Sequence, residues 1–68
     1  MFPKTQKEMI RDHLMHGLSI TPAKAFAEYG TIRLAAYIHE LRQEGLEIRT
    51  TQRRSMSGRT YGEYRLDA

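Results

Sequence analysis

A chain of 68 residues has room for one domain and a single core, which excludes long loops and a second subdomain. It contains no cysteine, and that removes a disulfide framework, thiolate chemistry and cysteine-ligated zinc together and leads us to expect an intracellular protein. Lys and Arg number 11 against 8 Asp and Glu, a formal net charge of +3, and no apolar run approaches the ~18 residues of a membrane span.

Met1–Lys4 reads as a tail without the apolar core of a signal peptide, so a soluble, cytoplasmic protein is expected. Thr5-Gln6-Lys7-Glu8 fits a capping box, in which Thr and Glu each satisfy the other's backbone N–H at a helix start. Met9, Ile10 and Leu14, with His13 between them, form an apolar stripe, and Gly17 follows as a stop signal. The first helix is therefore expected over about Gln6–His16.

Leu18-Ser19-Ile20 is too short for a helix and reads as a connector or short strand. Thr21-Pro22 then supplies an N-cap followed by Pro in the first turn, where its missing N–H is not needed. A second helix follows through Phe26 to Tyr29, ended by Gly30. Thr31 is expected to cap a third helix, about residues 32–44, whose inner stripe is Leu34, Ala35, Ile38, Leu41 and Gly45. Stepping about 100° per residue puts Arg33, Ala36, Glu40 and Gln43 on its outer face, flanked by Ile32 and Tyr37. Met9, Ile10, Phe26, Leu34, Ile38, Leu41 and Leu66 are the expected core.

From Leu46 the apolar period falls from 3.6 to 2, as Leu46, Ile48 and Thr50 alternate with Glu47, Arg49 and Thr51. Ser55-Met56-Ser57-Gly58 marks a turn, and a return strand over about Thr60–Leu66 turns Tyr64 and Leu66 inward. Between Ile48 and Gly62 lie Arg49, Arg53, Arg54 and Arg59 and no acid, a basic strip suited to a phosphate backbone.

Helix, short strand, short helix, tight turn, longer helix and hairpin form an α+β, mainly α, chain: a helix-turn-helix followed by a wing. In that arrangement the last helix enters the major groove of double-stranded DNA. Ala36 allows close approach, Arg33 offers a planar fork to guanine or phosphate, Tyr37 suits a phosphate or a thymine methyl, and Glu40 suits cytosine N4. The expected DNA-contacting set is Thr31, Arg33, Ala36, Tyr37 and Glu40 on the helix with Arg49, Arg53, Arg54 and Arg59 on the wing.

The chain also resembles the winged helix-turn-helix domains of small bacteriophage and prophage proteins. The matching residues are Thr5-Gln6, Ser19-Ile20-Thr21-Pro22, Tyr29-Gly30 with Ile32-Arg33-Leu34-Ala35-Ala36, and Tyr64-Arg65-Leu66. The most specific run is Ile38-His39-Glu40-Leu41-Arg42 ending in Glu44-Gly45. The resemblance implies one such domain over residues 1–68 and DNA binding that involves Arg33 and the wing. A transcriptional regulator is the leading reading, and self-association on DNA or a phage or host protein partner is compatible with it.

Other classes fit less well. His13, His16 and His39 lack the clustered ligands of a metal site, Asp12 and His13 point about 100° apart with no nucleophile beside them, and no cofactor is implied. An architectural, DNA-bending protein of excisionase type and a winged-helix protein-interaction module remain open. An exposed apolar patch would favour the interaction module.

Overall fold

The computed structural model describes residues 4–67, and the elements along them are α1 (Gln6–Met15), α2 (Pro22–Tyr29), α3 (Leu34–Gln43), β1 (Ile48–Arg54) and β2 (Thr60–Leu66). The capping box forms: the Thr5 hydroxyl accepts from the Glu8 N–H at 3.2 Å, and the Glu8 carboxylate accepts from the Thr5 N–H at 3.5 Å. Of the expected tail, residues 1–3 lie outside the described residues, whereas the Lys4 ammonium pairs with Asp12 and holds that carboxyl below its ordinary range.

At the start of α2 the Thr21 hydroxyl accepts from the Lys24 N–H at 3.1 Å, with Pro22 in the first turn. The helix stops because Gly30 takes φ +67, a left-handed conformation that a Cβ would strain, and returns its N–H to the Phe26 carbonyl. Only Ala25 of this helix is fully buried. Phe26, expected in the core, is 61% exposed. Thr21, Ala25 and Tyr29, four apart, form the inner stripe and leave Phe26 about 100° away from it.

The core joins Ile10 and Leu14 of α1, Ile20 of the connector, Ala25 of α2, Leu34, Ile38 and Leu41 of α3, and Ile48 at the root of the hairpin. Leu66 and Tyr64 pack against it part-buried, and Met9 is also part-buried. Burial of six whole Ile and Leu side chains, each worth roughly 1.5–3 kcal/mol, is the main force holding the elements together.

His13 is buried and ties three segments. Its Nε2 lies 2.8 Å from the Ser19 carbonyl, which can only accept, so this nitrogen carries the proton in the neutral ring. Nδ1 then accepts from the Tyr29 hydroxyl at 2.7 Å. Burial pushes that hydroxyl above its ordinary value of about 10, and the Glu28 and Asp12 carboxylates add to the shift. A folded state that keeps this proton while the unfolded chain releases it loses stability as pH rises above about 10. Tyr29→Phe is expected to lower stability by about 1 kcal/mol at neutral pH and to flatten the alkaline decline in urea unfolding. A variant that declines as steeply as the parent would place the titration elsewhere.

The strands pair antiparallel from Ile48↔Leu66 to Arg54↔Thr60. Ile20 adds a bridge to Tyr64, with N–H to carbonyl distances of 2.9 and 2.8 Å in the two directions, so the connector is a one-residue third strand. Residues opposite one another share a face. Ile48, Thr50, Gln52 and Arg54 with Leu66, Tyr64, Gly62 and Thr60 therefore form the face whose root packs on the helices. Arg49, Thr51 and Arg53 with Arg65, Glu63 and Tyr61 form the outer one. A Cβ at Gly62 would meet Thr50 Cγ2 and Tyr64 Oη at 3.3 Å, so glycine gives the Tyr64 ring room to lie across the inner face.

Candidate nucleic-acid interface

The third helix begins later than its sequence signals imply. Thr31 does not cap it: the side chain is 3% exposed, and its hydroxyl accepts from the Arg33 N–H at 3.0 Å. That short turn shapes the entry to α3 from within, so Thr31 is removed from the set of surface contacts. Arg33 occupies the N-cap without a side-chain hydrogen bond to the helix, leaving the first amides of α3 without a side-chain cap and Arg33 itself exposed beside them. Its guanidinium carbon stands 5.9 Å from the centre of the Tyr37 ring.

The outer face of α3 is also turned relative to expectation. Leu34, Ile38 and Leu41 are buried, but Ala35, placed in the inner stripe by spacing alone, is exposed with His39, Arg42 and Gln43. Tyr37 and Glu40 are drawn toward α1. The Tyr37 hydroxyl donates to Gln6 Oε1 at 3.2 Å, and Gln6 Nε2 in turn donates to the Tyr29 carbonyl at 3.1 Å. Glu40 pairs with Lys7 at 3.5 Å, and Lys7 also pairs with Glu44. These carboxylates, Glu44 foremost, raise the Lys7 ammonium above its ordinary value.

The reason is area. A tyrosine gains more than an alanine by turning toward a neighbouring helix, so Tyr37 takes the half-buried flank and Ala35 is left outside. Ala36 lies part-buried between the two sides. The accessible surface is thus Ile32, Arg33, Ala35, His39 and Gln43, with His39 Nε2 and Gln43 Nε2 3.2 Å apart. Counting side-chain size as well as spacing identifies Ala35 and His39 from sequence.

The four arginines of the basic strip divide into two pairs, and Arg65 of β2 donates instead to the Gly17 carbonyl at 3.2 Å. Arg49 reaches Asp67 at 3.1 Å, and Arg53 directs Nε and Nη2 to one Glu63 oxygen at 3.2 and 3.1 Å. Both lie on the outer face. The strip free of acids in sequence thus receives carboxylates from β2 and from just beyond it. Arg54 and Arg59 make no ion pair among the described residues, and Arg54 shares the ladder face of Ile48 and Thr50. A further arginine, Arg42, is structural. It donates to the Ile48 carbonyl through Nε at 3.1 Å and Nη2 at 2.7 Å, and to Thr50 Oγ1 at 2.8 Å. These bonds fasten the root of the hairpin to the end of α3.

Three helices with a tight turn between the second and third, and a hairpin closing the core behind them, define a helix-turn-helix module with a wing. The chain belongs to the winged helix-turn-helix domain family, whose profile matches residues 5–68. No curated protein and no solved structure matches it. The family is one of DNA-binding modules, and no helix among the described residues is long and apolar enough to cross a membrane.

Proposed function

We propose that the chain is a sequence-specific regulator that binds double-stranded DNA, non-enzymatic and cytoplasmic, with α3 in the major groove and the wing tip on the adjacent backbone or minor groove. The observation that carries this reading is the exposed face of α3. The small, exposed Ala35 permits close approach, with part-buried Ala36 adding no bulk beside it, His39 and Gln43 offer hydrogen-bonding groups to base edges, and Arg33 stands beside the uncapped helix start where phosphates bind well. Tyr37 and Glu40 serve this surface from behind by fixing α3 on α1. The resemblance to bacteriophage domains in the Ile38–Arg42 run supports a phage-type regulator.

The test is selection of bound sequences from random duplex DNA, followed by affinity measurement at several salt concentrations. Three unpaired arginines, Arg33, Arg54 and Arg59, predict a slope of log K against log[salt] of about −3. A slope near −5 would mean that Arg49 and Arg53 leave their carboxylates for phosphate. A slope near zero, or no enrichment of any sequence, would refute the reading.

A further inference from the structure

The far end of the hairpin combines features that neither the core nor the strand ladder requires. Met56 is 108% exposed and thus touches almost nothing of its own chain. The turn that carries it is closed: the Ser55 N–H donates to the Arg59 carbonyl at 2.8 Å, and the Gly58 N–H to the Ser55 carbonyl at 3.0 Å. The Ser55 and Ser57 hydroxyls are 2.8 Å apart. These bonds close the turn, and with Ser55, Ser57 and Gly58 all small, Met56 is the one large side chain at the tip. On either side of it in sequence stand Arg54 and Arg59, the two arginines of the basic strip with no carboxylate partner among the described residues.

We infer that Met56 is an apolar wedge that enters the minor groove of bound DNA and partly unstacks one base step, with Arg54 and Arg59 holding the phosphates beside it. The inference rests on the DNA-binding reading above and adds to it a deformation of the duplex. Charge complementarity selects the occupant. An apolar protein pocket gains from Met56 but nothing from two bare guanidinium groups beside it, whereas a polyanion with a hydrophobic base stack gains from all three. A narrow tip also suits a groove about 6 Å wide. Methionine is among the side chains that wedge between base steps, and such insertion kinks duplexes by roughly 20–90°.

The experiment uses the full chain with a duplex recovered by random selection, end-labelled for energy transfer and carrying 2-aminopurine at successive steps beside the α3 site. The parent chain is expected to shorten the end-to-end distance and brighten 2-aminopurine at one step. Met56→Ala should weaken binding about tenfold and at least halve the bend, and Met56→Leu should retain both. Arg54→Gln with Arg59→Gln should lower the salt slope by about 2. Parent binding without bending or brightening would overturn the wedge and leave the DNA-binding reading standing, as would a Met56→Ala variant that bends DNA like the parent. A parent chain that binds no duplex would overturn both.

Discussion

Ala35→Glu is expected to lower affinity for duplex DNA by at least about 100-fold while stability stays within about 0.5 kcal/mol of the parent. Ala35 is exposed on α3, so a longer side chain meets no neighbour in the fold, and glutamate is a good helix former. On the proposed binding face, however, the substitution puts both bulk and a negative charge against the phosphates. Filter binding and urea unfolding on the same preparation separate the two effects. Ala27→Glu, on the exposed side of α2, serves as a control with the same charge change and is expected to weaken binding far less. Equal losses from the two variants would mean that net charge alone governs binding and that α3 has no special place in it.

The largest stability effect is expected from His13→Ala, about 3–4 kcal/mol by urea unfolding. The substitution opens a cavity and leaves the Ser19 carbonyl and the Tyr29 hydroxyl without their partner. In a domain this small such a loss is a large share of the total stability. His13→Gln retains hydrogen-bonding groups and should recover part of it. A His13→Ala variant with an unchanged midpoint would show that water replaces the ring at no cost.

The helix boundaries legible in the sequence are those set by local chemistry. Thr5 with Glu8, Thr21 with Pro22, and Gly30 each act within one turn, and each does in the structure what its residue type implies. The return strand Thr60–Leu66 and the inward Tyr64 are likewise readable from alternation. Thr31 misleads because its hydroxyl has two local options, a helix cap or a turn two residues long, and burial selects the turn.

Features that depend on distant partners are not legible. The carboxylates that engage Arg53 and Arg49 lie 10 and 18 residues along the chain and arrive only through the strand register. Phe26 looks like core by residue type, yet a two-turn helix with one narrow inner stripe has room only for Ala25 and the flanks of Thr21 and Tyr29. The α3 face stands between the two cases: spacing alone misplaces Ala35, whereas side-chain area puts Tyr37 on the half-buried flank, where its hydroxyl then donates to Gln6.

The Arg42 fork at the root of the hairpin makes the wing a cantilever. Its anchored end, out to Thr50 and Tyr64, is held by Arg42, by the bridge from Ile20 to Tyr64 and by the bond from Arg65 to the Gly17 carbonyl, while the strands beyond run outward to the tip. At about 3.3 Å per residue the strand from Thr51 to Arg54 makes a free arm of roughly 13 Å, in a molecule whose longest dimension is 42 Å. A swing of about 15° at the root would carry the end of that arm roughly one base-pair rise, ~3.4 Å along a strand. If α3 and the wing tip both contact a target as proposed, the stiffness of that joint sets how strictly the spacing between the two contacted stretches is enforced, and loosening Arg42 should yield a protein tolerant of targets one base pair longer or shorter.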